Sequence, residues 1–301
     1  MRADEGLASA SSEYLTAREA ASYLRLNEKT LYALVQDGTV PATKVTGKWL
    51  FPRALLDEWL LAHAHGGALM DRLLIAGSDD PLLAHACAVL AAEHRDDALI
   101  ALAPTGTELG LALLAKRRVN AVGIHWGHAE TSAATHTELV RRFSGHREWT
   151  VIRLGLREQG VILPAGGATT ALLDLVAPNT RWAARQAGAG SQRFFGLVLA
   201  EQGIAPPSVN FTETAYSERH AASLVARGVA DCAPGVRAAA SEFGLGFLPL
   251  GWEPFDLVLP REVYFRTLFR ALLTTLGSPE LRALATGLGG YELSSLGRLV
   301  G

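Results

Sequence analysis

Apolar positions in the first sixty residues recur at helical spacing in three short blocks. Ala20, Ala21 and Leu24 share one helical face, Leu31, Leu34 and Val35 a second, and Leu55, Leu56, Trp59 and Leu60 a third. Thr16 and Glu19 precede the first block with the spacing of a capping box. In that arrangement the hydroxyl accepts from the Glu19 amide and the carboxylate accepts from the Thr16 amide. Asn27 stands as N-cap before a second helix over Glu28–Gln36, and Asp37-Gly38 stops it, since Gly tolerates the left-handed backbone of a helix end. A third helix is predicted over 53–64. Between the second and third helices, β-prone runs at 40–45 and 48–52 flank Thr46-Gly47, which predicts a hairpin. Two helices, a short turn and a hairpin describe a helix-turn-helix with a wing. Residues 1–13 read as a flexible tail and 65–71, with His63 and His65 beside Gly66-Gly67, as a helix end and linker.

From Arg72 onward the periodicity changes to short apolar strands alternating with helices. Strands are predicted at 73–76, 98–102, 119–124, 149–156, 160–164, 181–186, 228–234, 246–250 and 255–260. Helices are predicted at 81–94, 105–117, 192–202, 218–227, 235–243 and 262–275. This alternation favours an α/β fold with a parallel or mixed sheet. Two such lobes over 72–301, with the chain crossing between them, would leave a cleft for a small molecule.

Composition supports a globular chain of this kind: of 301 residues 49% are hydrophobic and 19% charged. The apolar runs are too short to span a bilayer, and the N-terminus carries Asp4 and Glu5 with no apolar signal core, so a cytoplasmic location is expected. Cys87 and Cys232 sit in apolar runs without metal spacing and read as reduced core thiols. Net charge is −2, yet positions 15–53 hold six basic residues against three acidic. That local excess points to DNA. Glu28, Lys29, Thr30 and Tyr32 lie outward on the N-terminal half of the second helix, the part that reads base edges in such motifs; Lys44, Thr46 and Lys48 line the wing and would meet phosphate.

In the second region, small hydroxyl and Gly residues fall where helices begin: Ser78, Thr105-Gly106-Thr107, Gly188-Ala189-Gly190-Ser191 and Tyr216-Ser217. Each turn alone needs no more than capping. Together, at strand ends in both lobes, they supply amides, hydroxyls and helix dipoles that can bind an oxyanion. Arg185 and Arg153 either contact a ligand carboxylate or pair with acids.

Leu15 to Ala21, Asn27 to Tyr32, Gly38 to Ala42, Trp49 to Pro52 and Leu56 to Leu60 resemble the excisionase-type, MerR-like winged helix-turn-helix family. Leu73 to Asp80, Gly123-Ile124-His125, Arg157 to Gly160, Arg185-Gln186 with Gly188 and Gly190, Glu218-Arg219-His220, Gly228 to Asp231 and Phe247 to Leu250 resemble the periplasmic-binding-protein-like domain of type II, whose relatives include molybdate- and tungstate-binding proteins. The resemblance implies a one-component transcription regulator: a non-enzymatic, cofactor-free chain whose partners are double-stranded DNA and a small anion. It makes molybdate or tungstate the first choice of ligand and His125 a cleft residue. Where the family has Arg-Gln-x-Gly-Ser-Gly-Thr-Arg, this chain has Arg185-Gln186-Ala187-Gly188-Ala189-Gly190-Ser191-Gln192, losing one hydroxyl and one Arg (Arg193 is adjacent), which leaves room for an organic anion. A single small helix-turn-helix makes few phosphate contacts, so a homodimer is expected.

Other groupings are weaker. His125, His128 and His136 lack the spacing and companions of a metal site. Ser191, His220 and Asp231 have no Gly-x-Ser-x-Gly elbow around the Ser. Trp126, Trp149, Trp182 and Trp252 read as core or rim. The alternative function is a cytoplasmic oxyanion- or organic-acid-binding protein of molybdenum cofactor handling, with an accessory interaction module.

Overall fold

A computed structural model describes residues 13–62, 71–129, 132–167, 169, 171–205 and 208–300. Of the expected tail over 1–13, residues 1–12 lie outside the described residues, as does most of the linker, with His63 and His65; Glu13 is described, its carbonyl accepting from Arg53 N at 3.0 Å. The chain separates into two compact units, Met1–Met70 and Asp71–Gly301.

In the first unit the order is β1 (Tyr14–Thr16), α1 (Ala17–Tyr23), α2 (Glu28–Gln36), β2 (Thr43–Val45), β3 (Lys48–Pro52) and α3 (Arg53–Ala62). The capping box forms as the spacing predicts, with Thr16 N donating to Glu19 Oε2 at 2.8 Å and Glu19 N to Thr16 Oγ1 at 3.3 Å. Asn27 Oδ1 accepts from Thr30 N at 2.8 Å and starts α2. Thr46 and Gly47 both have positive φ, 48° and 85°, the conformation that lets a two-residue turn follow the strand twist of the β2–β3 hairpin. Ala20, Ala21, Leu31, Val40, Phe51 and Leu56 form the core; full burial of an aliphatic or aromatic side chain contributes about 1.5–3 kcal/mol. Two features differ from expectation. A third strand, β1, pairs antiparallel with β3, Tyr14 opposite Pro52. On α3, Leu55 and Leu60 are exposed; Leu56 is buried, and half-buried Trp59 donates from Nε1 to Thr39 O at 2.6 Å.

The second unit runs β4 (Asp71–Gly77), α4 (Pro81–Glu93), β5 (Ala98–Pro104), α5 (Thr107–Ala115), β6 (Ala121–Ile124), α6 (Ser132–Arg141), β7 (Trp149–Leu163), β8 (Trp182–Arg185), α7 (Gly190–Glu201) and β9 (Phe211–Ala215). It continues through α8 (Glu218–Ala226), β10 (Ala233–Val236), α9 (Arg237–Glu242), β11 (Gly246–Pro260), α10 (Arg261–Tyr264), α11 (Thr267–Leu276), α12 (Pro279–Leu288) and β12 (Tyr291–Glu292). The main sheet has strand order β10-β7-β11-β6-β4-β5, with β12 beside β7; β8 and β9 pair in parallel, and Trp182 bridges to Cys232. The parallel strands β4, β5 and β6 carry helices on both faces, and β6 is buried throughout, as covered parallel strands are.

Two strands organise this unit. The sequence predicts separate strands at 149–156 and 160–164, and again at 246–250 and 255–260. Each pair is one fifteen-residue strand, β7 and β11, running antiparallel across both lobes. Arg157, Glu158 and Gln159, between the two predicted strands, stay in the ladder with Arg157 and Gln159 buried and paired. Leu73, Leu83, Leu257 and Phe269 represent the core on one face of the first lobe, and Val122, Leu111 and Leu139 that on the other. In the second lobe, Val236 and Ala222 lie on one face, Trp182, Phe194 and Val161 on the other. The predicted helix over 262–275 splits at Phe265-Arg266, while α6, β9 and α12 were not anticipated. Cys87 and Cys232 are buried free thiols, and burial pushes the Cys87 thiol up to about 12.

Candidate ligand site at the lobe seam

Strands β4, β5 and β6 end at Gly77, Pro104 and Ile124, and helices α4 and α5 start just beyond them. Helices α7 and α8 of the other lobe start against the same place. The seam is closed: a Cβ on Gly190 would fall far inside contact distance of His125 O, so only Gly allows α7 to approach β6 this closely. Glu108 N donates to Gly188 O at 3.2 Å, and Arg219 N, in the first turn of α8, donates to Asp79 Oδ2 at 3.1 Å across the seam. The open cleft expected from the sequence is therefore replaced by direct contact between the lobes.

Buried ions fill the seam. Arg157, fully enclosed, donates to Glu253 Oε1 at 2.8 Å and to Asp80 Oδ2 at 3.2 Å, and its guanidinium lies 4.0 Å from the Phe255 ring centre. Glu253 also accepts from Gln159 Nε2 at 2.6 Å and lies 2.5 Å from His125 Nδ1. Tyr291 donates to Asp80 Oδ2 at 2.9 Å. Glu218 accepts from Ser191 Oγ at 2.5 Å and lies 2.7 Å from Arg185 Nη1, an ion-pair contact without hydrogen-bond alignment. Burial pushes the Glu218 and Glu253 carboxyls up, but the surrounding cations outweigh it and hold both below the ordinary range: Arg185, His125 and Arg157 for Glu218, His125 and Arg157 for Glu253. For Asp79 burial prevails over Arg219 and raises the carboxyl. Among the described residues, three buried polar atoms here have no partner, Arg157 Nε, Arg185 Nε and Gln186 Oε1, while Arg185 Nη1 and Glu218 Oε2 have only each other. Such orphans mark a place where water or a ligand completes the shell.

The sequence-predicted ligand residues divide. Ser78, Thr107, His125, Arg185, Gly190 and Ser191 are at the seam, with Gly188 and Ala189 in the turn before α7. Thr107 Oγ1 is spent on His125 O at 3.3 Å, and Thr105 Oγ1 accepts from Gly77 N at 3.0 Å. Gly106 starts α5 with φ 80°. Ser217 caps α8 and its side chain also hydrogen-bonds the Asp79 carboxylate at the seam, while Tyr216, 61% exposed, stacks on His220 outside the ionic network. Arg153 is structural, paired with Asp256, which also holds His136 Nδ1 at 2.7 Å. Ser191, His220 and Asp231 do not assemble: Asp231 pairs with Arg181, and His220 accepts from Tyr216 N. Trp126, Trp149 and Trp182 are buried and Trp252 partly exposed.

The pattern at helix starts did not single out Arg157, Gln159, Glu218 and Glu253 for the site. The first three stand in stretches that carry the family resemblance; Glu253 has no such signal. In the first unit Glu28, Lys29, Thr30, Tyr32, Lys44, Thr46 and Lys48 are all exposed, and Lys44 lies 5.6 Å from the Trp49 ring centre.

Comparison with known proteins fits this architecture. Residues 89–277 match the family described as the PBP superfamily domain, and residues 14–64 match a helix-turn-helix domain. The chain belongs to the PBP superfamily. It is 23% identical over 314 aligned residues to the uncharacterized protein YvgK of Bacillus subtilis, covering 95% of this chain and 97% of that one. It is 34% identical over 100 residues to an uncharacterized Clostridium pasteurianum protein encoded in the 5′ region of a ferredoxin gene, covering 33% and 88%. Among solved structures it is similar to OxyR of Corynebacterium glutamicum (16% identity, 93% of each chain, TM-score 0.50). It is also similar to a Clostridium perfringens protein named as a phosphate transporter's substrate-binding protein (11% identity, 73% and 98%, TM-score 0.51). These likenesses establish the two-lobed fold. No helix among the described residues is long and apolar enough to cross a membrane.

Proposed function

We propose that this chain is a ligand-responsive, DNA-binding transcription regulator, cytoplasmic and homodimeric on DNA, whose effector site is the lobe seam. The observation that carries the reading is the group of orphaned polar atoms on Arg157, Arg185 and Gln186, buried at the seam in a chain that also has a helix-turn-helix domain. In this reading Lys29 and Tyr32, with Glu28 and Thr30 beside them, face base edges, while Lys44, Thr46 and Lys48 meet phosphate. A small anion, molybdate or tungstate first, would be held by Arg157, Arg185 and Ser191. One observation favours a second ligand class. Glu218 and Glu253 already compensate these cations, so a doubly charged oxyanion must displace a carboxylate. An organic ligand bearing one carboxylate and hydrogen-bond donors brings one negative charge fewer into the seam and supplies donors for its acceptors.

The test is a thermal-shift series of the whole protein with molybdate, tungstate, sulfate, phosphate and organic acids, followed by footprinting on its own promoter region. A specific ligand raises the melting point with the logarithm of its concentration and changes the footprint. Ligand binding with no footprint in any condition would transfer the chain to the alternative, a binding protein of molybdenum cofactor handling. A melting point untouched by the whole series would remove the seam as an effector site.

A further inference from the structure

At the end of the first lobe opposite the seam, the loop before β6, the start of β7 and the end of β11 surround an open cleft of about 340 Å³. Trp149 forms part of its wall, with Arg117, Arg266, Glu148 and Glu262 around it. Asn120 fixes this end to β4, its Oδ1 accepting from Leu74 N at 2.8 Å, and Trp149 pairs with Pro260. Arg117 and Arg266 line the cleft, and Lys116, Arg118, Arg147 and Arg261 are chain neighbours of lining residues; all six are exposed and none is in an ion pair among the described residues. Counting the lining residues with their immediate chain neighbours, six basic residues stand against two acidic ones, Glu148 and Glu262, in a chain of net charge −2. The acidic turn Asp96-Asp97 lies two strands away at the β5 edge. An unpaired basic cluster of this density holds like charges together, and that repulsion is relieved by a polyanion.

We infer that this basic end of the second unit is an additional contact surface for the phosphate backbone of duplex DNA. Charge is the first argument and chain connection the second. The chain enters the unit at Asp71, the N-terminal end of β4, which is this end and not the seam. The helix-turn-helix domain is thus joined to the unit by chain that enters at this end. The inference rests on the DNA-binding reading above.

The test measures binding of the full chain to fluorescein-labelled random-sequence duplexes of about one and about four helical turns (~10 base pairs each) by anisotropy over a salt series. Three proteins are compared: wild type, R117N/R118Q/R147Q/R266Q, and the wing variant K44A/K48A. Asn is chosen at position 117 because Arg117 has φ 55°, a conformation Asn accepts. Wild type should show a steeper log K against log salt on the long duplex than on the short one. The quadruple variant should lose that excess, its slope falling by about 3.6 at ~0.9 per phosphate contact, with short-duplex binding and melting point retained. If it does not fold, R147Q/R266Q is measured instead, with a fall of about 2. An unchanged long-duplex slope, with the slope of K44A/K48A reduced, overturns the inference alone. No binding by wild type removes the DNA reading and this surface together.

Discussion

Replacing Arg157 by Met tests the seam most directly. The guanidinium is enclosed between Glu253 and Asp80 and lies on the Phe255 ring; Met keeps much of the volume and removes the charge. Two buried carboxylates then lose their shared cation. Breaking a buried pair from one side costs about 3–5 kcal/mol. For a unit of this size about 2–4 °C accompany each kcal/mol, so the melting point should fall by about 6–20 °C at pH 7. The pH dependence carries more information. In the wild type Glu253 and Glu218 are lowered by their cations, so the stability they confer is present above the unfolded carboxyl value, about 4.3, and is lost as pH falls through the folded one. Between pH 7 and 5 these two groups leave the wild type flat. In R157M the uncompensated carboxylates are raised, protonation relieves them, and the deficit should shrink by about 1.4 kcal/mol for each unit by which a folded carboxyl value exceeds the working pH. Urea unfolding of both proteins at pH 7, 6 and 5 reads this as converging midpoints. A loss below about 1 kcal/mol, or a deficit that widens on acidification, would show that Arg157 does not hold the acids at the seam.

Three further outcomes follow from the same geometry. Thr16→Ala removes the capping box of α1 and should cost about 1 kcal/mol, read as earlier loss of helical signal in the isolated 13–62 segment or, if that segment does not fold alone, as earlier DNA dissociation on heating the full chain. Gly190→Ala places a methyl on His125 O and forces the lobes apart at α7; any thermal shift given by a seam ligand should disappear while binding to a short duplex is unchanged. Asp79→Asn removes the carboxylate from the first turn of α8. Because the Asp79 carboxyl is raised by burial, its ionisation opposes folding above that raised value, so the variant should lose less stability at pH 7 than a paired surface acid would, and limited proteolysis should detect looser lobes.

What could be read in advance was local. Thr16 and Glu19, Asn27, and Thr46-Gly47 each carry their structural instruction within four residues, and the first unit follows them closely. The Gly188-to-Ser191 turn foretold a helix start, although no side chain caps α7: Ser191 lies in its first turn and donates to Glu218. The seam depends instead on pairs distant in sequence: Arg157 meets Asp80 and Glu253, 77 and 96 positions away. A lone Arg in a polar tripeptide looks like a strand break, because alternation assumes that charge faces water. Inside β7 the charge faces a buried acid, so the break disappears and two predicted strands become one. Leu55 and Leu60 fail in the opposite sense: apolar spacing on α3 implied burial that the small unit cannot supply.

The position of the ionic network also determines how a ligand could act. Arg157 lies in β7 and Glu253 in β11, the two strands that run through both lobes. Their pairing fastens the crossing point itself. Asp79 and Glu218 lie on opposite sides of the seam, and each occupies a position an external anion would take: Asp79 on the first-turn amide of α8, Glu218 on Ser191 and Arg185. The chain thus already contains the carboxylates that close it. A ligand acts only through the difference in its affinity for two states, and about 5.5 kcal/mol of difference moves an equilibrium from 1:99 to 99:1. An anion that merely replaces Glu218 exchanges one carboxylate contact for another and gains little of that difference. A ligand able to shift the lobes must therefore reach the orphaned atoms that the internal acids leave unused, Arg185 Nε and Gln186 Oε1 among them, and one group accepting from the first while another donates to the second meets both.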